Sequence, residues 1–124
     1  MKEFKGTCLC GKTTFSATSA AINPHLCSCN MCQKSSGALT VAWLEFPLNK
    51  FKWTGEKPKL YQSSEKTQRC SCKNCGGLLG AIDEGASNIS ITIASLENPS
   101  EVIPKNKHSY KNSAPSWWNV RIQS

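Results

Sequence analysis

Eight cysteines fall into three short clusters, and their spacing points to metal rather than to disulfides. The clusters are Cys8-Leu9-Cys10, Cys27-Ser28-Cys29-Asn30-Met31-Cys32 and Cys70-Ser71-Cys72-Lys73-Asn74-Cys75. Thiolates two or three residues apart can converge on one ion, whereas cysteines so close rarely reach disulfide geometry without strain. Gly11 follows the first cluster and Gly76-Gly77 follows the last, so the backbone there can turn tightly and aim its amides at a bound sulfur. The chemistry expected is zinc coordination.

Eight thiols exceed what one zinc ion takes. A structural site is closed by four protein ligands, often as two pairs from distant points of the chain. Cys8 with Cys10 and Cys72 with Cys75 supply two such pairs, the second inside a Cys-x-x-Cys-Gly knuckle. Cys27, Cys29 and Cys32 then form a second site with three protein ligands. Three ligands leave a fourth position open, which marks a catalytic or ligand-binding zinc. A divalent ion among three thiolates is net negative and a weak Lewis acid. It is better suited to holding an incoming thiol as thiolate than to making hydroxide. His25 or Cys70 would close that site if either were a ligand. His25 reads instead as a surface or packing residue, and Cys70, crowded against the knuckle, as a spare thiol. Arg69 and Lys34 are candidate contacts for a substrate carboxylate, against the plainer reading of solvated surface charge.

The elements that must position these residues are strands. Residues 13–17 and 88–94 alternate apolar with polar, the second placing Ile89, Ile91 and Ile93 on one face. Residues 39–44 and 78–82 read as further strands, with shorter ones at 51–53 and 60–62. One or two helical turns are expected at 30–35, starting inside the middle cluster. Prolines at 47, 58, 99, 104 and 115 punctuate the rest. Tyr110, Trp117 and Trp118 suggest that the loop-rich tail packs back on the body. The reading is one mainly β unit over 1–124, a small zinc-stapled antiparallel β domain.

The 124 residues carry a formal charge of +7. Two zinc ions held by seven thiolates would lower it to about +4. That field suits a small anionic substrate. The lysines and arginines are dispersed and form no run, which argues against a dedicated nucleic-acid arm. No stretch reads as a signal peptide or a membrane span, so an intracellular setting is expected, cytoplasmic first and nuclear second. Reduced thiols belong to such a compartment.

The clusters, in this order, resemble the glutathione-dependent formaldehyde-activating enzyme (GFA) family, which also includes centromere protein V. The segments that carry the resemblance are Gly6-Thr7-Cys8-Leu9-Cys10-Gly11, then Cys27 through Gly37, Trp53-Thr54-Gly55, Tyr61 through Ser64, and Arg69 through Gly76. His108-Ser109-Tyr110 and Pro115-Ser116-Trp117 match the closing segment. Ser28 stands where the family often has histidine, Ser71 where it usually has an aromatic, and Cys70 is an extra thiol. The resemblance implies a β-tent, Mss4-like fold, with one structural zinc on the outer pairs and a second, open zinc on the middle three cysteines. It also implies a carbon–sulfur lyase that condenses formaldehyde with glutathione, like S-(hydroxymethyl)glutathione synthase. The alternative it raises is a zinc-binding scaffold that contacts nucleic acid or protein in the manner of centromere protein V.

Overall fold

The computed structural model describes residues 2–105 and 107–122. Its strands are β1 (Phe4–Thr7), β2 (Thr14–Ala17), β3 (Ile22–Cys27), β4 (Val41–Pro47), β5 (Phe51–Trp53), β6 (Lys59–Gln62), β7 (Thr67–Ser71), β8 (Leu78–Asp83), β9 (Asn88–Thr92) and β10 (His108–Ser109). The single α-helix among the described residues, α1 (Asn30–Ser36), follows β3. One sheet has the order β1-β2-β5 and the other β10-β3-β4-β9-β8-β7-β6. All pairings are antiparallel except β10 on β3. No helix among the described residues is long and apolar enough to cross a membrane.

Strand β4 explains the layout. Successive side chains on a strand point to opposite faces. Leu44 and Phe46 face one way and pack with Phe4, Phe15 and Ala17 of the small sheet, and with Ile89 and Ile91 of β9. Val41 and Trp43 face the other way and pack with Cys27 and Cys32. One strand thus carries the main core on one side and the floor of the middle cluster on the other. Ile89, Ile91 and Ile93 are all buried as their alternation suggests, although β9 ends at Thr92 and Ile93 opens a 3-10 turn.

Four strands lack a readable pattern in the sequence. β1 is only four residues long. β3 contains Pro24 and a bulge between Ile22 and His25, with Asn23 at φ 49°. β7 is the polar run Thr67–Ser71, whose buried members are Arg69 and Cys70. β10 has two residues and exists through its pairing with Leu26 and Cys27. Part of the tail departs from expectation. Trp118 donates its indole N–H to Thr40 at 2.8 Å, but Tyr110 and Trp117 are exposed, Trp117 to 75%.

Candidate metal centre

The outer pairs meet. Cys8 and Cys10 lie just before β2, Cys72 and Cys75 in the turn from β7 to β8, and all four Sγ atoms fall within 4.8 Å of one another. Cys8 Sγ to Cys10 Sγ is 3.6 Å, and Cys10 Sγ to Cys72 Sγ is 3.7 Å. An ion with zinc–sulfur bonds of about 2.3 Å in a tetrahedron sets its sulfurs about 3.8 Å apart. The spacing therefore fits. Backbone amides also turn toward the sulfurs. Thr13 donates to Cys8 Sγ at 3.3 Å, and Asn74 and Cys75 donate to Cys72 Sγ at 3.3 and 3.4 Å. Gly76, at φ 77°, makes the knuckle's return turn and bonds its amide to Cys72 O. The Thr13 side chain and the Cys75 amide hold the Cys72 thiol down at about 5, the state a metal ligand needs.

The middle three cysteines also meet, with their Sγ atoms within 4.8 Å of one another. Cys27 ends β3, and Cys29 is the N-cap of α1, its sulfur accepting the Cys32 amide at 3.2 Å. Helix α1 presents Cys32 inward, while Ser35 and Ser36 return their hydroxyls to the Cys32 carbonyl. Burial pushes the Cys27 thiol up to about 12, so it becomes a ligand only when a cation offsets its charge. Burial also pushes Cys29 upward, but hydrogen bonds from Cys32 and the Arg69 charge outweigh it and leave Cys29 below the usual thiol range. Both clusters can hold a metal ion, and their all-sulfur donor sets suit zinc.

Neither alternative ligand joins the middle group. His25 bonds Nδ1 to the Asn23 carbonyl at 2.7 Å. Cys70 is buried on β7 outside both clusters, and burial raises it to about 11. Arg69 is buried too, 7% exposed, with its guanidinium against Cys32 rather than in solvent. Lys34 lines a cleft of about 740 Å³, together with Arg69, Lys59, Lys73, Tyr61 and Cys72 of the outer group.

One connection is invisible in the sequence. Ser28, wholly buried and between Cys27 and Cys29 in sequence, bonds its hydroxyl to Thr40 Oγ1 at 2.8 Å and to His108 Nε2 at 2.7 Å. Thr40 in turn takes the Trp118 indole N–H. The tail is thereby tied to the loop that carries Cys27 and Cys29. Burial, with Lys111 nearby, holds His108 below the usual histidine range. Partners 80 residues apart leave no local sequence signal.

The sequence profile described as "Glutathione-dependent formaldehyde-activating enzyme" matches residues 3–113. The chain belongs to the GFA family. No curated protein matches it. Among solved structures, the crystal structure of a Rhodobacter sphaeroides protein is similar, at 21% identity and a TM-score of 0.64. The match covers 85% of this chain and 98% of that one, and it supports the fold alone. The seven cysteines of the two groups that could hold a metal ion lie within the matched span.

Proposed function

We propose that this GFA chain is a zinc-dependent enzyme of the carbon–sulfur lyase type that joins a thiol, glutathione or a similar one, to a small aldehyde. The observation that supports the reading is the convergence of Cys27, Cys29 and Cys32, three thiols without a fourth protein ligand among the described residues. Arg69, which contacts Cys32, also lines a cationic cleft. Cys8, Cys10, Cys72 and Cys75 would hold one zinc ion as a staple, and the middle three would hold the second. The second ion, when bound, would supply a position at which a thiol is stabilised as thiolate at neutral pH.

The chain's own residues do the remaining work. Lys34, Lys59 and Lys73 draw an anionic substrate to the cleft, and the cleft keeps thiol and aldehyde together. Trp43 walls the cluster from below and keeps water from that side. In the overall addition the S–C bond forms and the carbonyl π bond breaks. The thiol gives its proton to solvent and the carbonyl oxygen takes one up.

The test is formaldehyde and glutathione turnover read against a protein-free blank, because the adduct also forms without a catalyst. The expected result is a rate above the blank that the Cys29→Ser variant loses. Equal rates for wild type, variant and blank would overturn the reading.

A further inference from the structure

We propose that Arg69 is the counter-ion of the three-cysteine cluster, a positioning residue that offsets thiolate charge at Cys32 and lets the cluster accept an anionic fourth ligand. The inference rests on that cluster holding a metal ion and not on turnover.

Arg69 comes from β7, yet its guanidinium reaches α1. Nη1 and Nη2 lie 3.8 and 3.7 Å from Cys32 Sγ, and Nη1 is 3.2 Å from Ser35 Oγ. Cys32 and Ser35 stand one helical turn apart on one face, a spacing that the planar guanidinium fork spans. The guanidinium carbon sits 5.5 Å from the centroid of the Trp43 ring. Nε is buried without a hydrogen-bond partner among the described residues.

Among the described residues no carboxylate pairs with this charge. The single ion pair among the described residues joins Lys2 to Glu101. Burying a cation is costly unless an anion is near it. Among the described residues, the group that can meet it with negative charge is the cysteine cluster once its thiols are ionised on a metal, and the guanidinium contacts Cys32 of that cluster. The charges also match. Three thiolates around a divalent ion leave one net negative charge, which Arg69 cancels. A fourth, anionic ligand would then raise the local charge to minus one rather than minus two. With both Nη atoms engaged by Cys32 and Ser35, the guanidinium holds the cluster and leaves substrate carboxylates to the exposed lysines of the cleft.

The experiment loads cobalt into wild type, Arg69→Met and Arg69→Lys and titrates each against a chromophoric chelator. The four-cysteine site serves as the internal control. Arg69→Met should weaken cobalt binding at the three-cysteine site by about 10-fold to 100-fold, the range for lost outer contacts to metal ligands. The other site should not change, and Arg69→Lys should recover part of the loss. Charge is tested with two added ligands, 2-mercaptoethanol as thiolate and neutral imidazole, followed by the cobalt spectrum. Arg69→Met should lose affinity for the thiolate by about 10-fold more than for imidazole. Should the methionine variant not fold, Arg69→Gln carries the same expectations, since it removes the charge and keeps a donor. Equal losses at both metal sites, or equal losses for thiolate and imidazole, would overturn the proposal. Wild type that takes up one cobalt would overturn the metal reading beneath it, a result distinct from a failure of Arg69 alone.

Discussion

The two clusters should differ in what they contribute to stability, and the difference follows from the length of chain each one closes. Cys10 and Cys72 are 62 residues apart, so an ion between them cross-links the β1–β2 end of the small sheet to the β7–β8 turn of the large one. Treated as a cross-link, a closed loop of that length constrains the unfolded chain by about 4 kcal/mol. The middle cluster spans about 5 residues, and loop-closure entropy grows as (3/2)RT ln n, so it contributes about 2 kcal/mol less. Cys29→Ser also keeps the helix cap, because serine is a favoured N-cap residue. Cys72→Ser has no such replacement: it removes a buried sulfur that accepts two backbone amides. The stability of a domain this size is about 5–15 kcal/mol, so Cys72→Ser should remove a large share of it. The expected drop in Tm is about 10–20 °C. Cys29→Ser should lower Tm by less than half as much. Thermal unfolding of zinc-loaded wild type and both variants, followed by circular dichroism, measures this. Equal drops for the two variants would refute the loop-span argument and make the middle site structural as well.

Gly6→Ala should destabilise the chain by about 3 kcal/mol, since overpacking a filled site forces backbone or ring to shift. An added Cβ would meet Phe15 Cζ at 2.1 Å and the Ser95 carbonyl at 2.6 Å, and urea unfolding gives the cost. Cys70 should resist iodoacetamide in the folded, zinc-loaded protein up to about pH 9 and react once unfolded, because the reactive species is the thiolate. Its raised value of about 11 keeps it protonated there, and peptide mapping of the alkylated protein shows whether it does. His108 adds a pH dependence. Its folded-state value lies below the usual one, so the unfolded chain takes up the proton more readily. The stability it contributes is complete above about pH 6.5 and is lost as pH falls through the folded value. His108→Gln should flatten that part of the profile relative to wild type. Parallel denaturant titrations between about pH 5.5 and 7.5 decide it.

The two cysteine groups that could hold metal were legible in the sequence because cysteine spacing is local information. Two thiols separated by one or two residues can share an ion whatever surrounds them, and pairs of this kind at 8–10 and 72–75 need only a fold that brings them together. The alternation at 88–94 was equally local, and so was the helix that starts at the middle cluster. β3, β7 and β10 were not legible. Their residues are held by partners across the sheet, and a strand that buries an arginine and a cysteine has no apolar alternation to display. Only the tertiary structure decided what Arg69, Ser28 and His108 do. As sequence, Arg69 is one of fifteen dispersed basic residues. Packed under α1 it becomes a buried cation whose nearest acceptors are a sulfur of the three-cysteine cluster and a hydroxyl. Charge and hydrogen bonding depend on distance in space, and the distance between residues 28 and 108, or 32 and 69, is set by the sheet order and not by the chain between them.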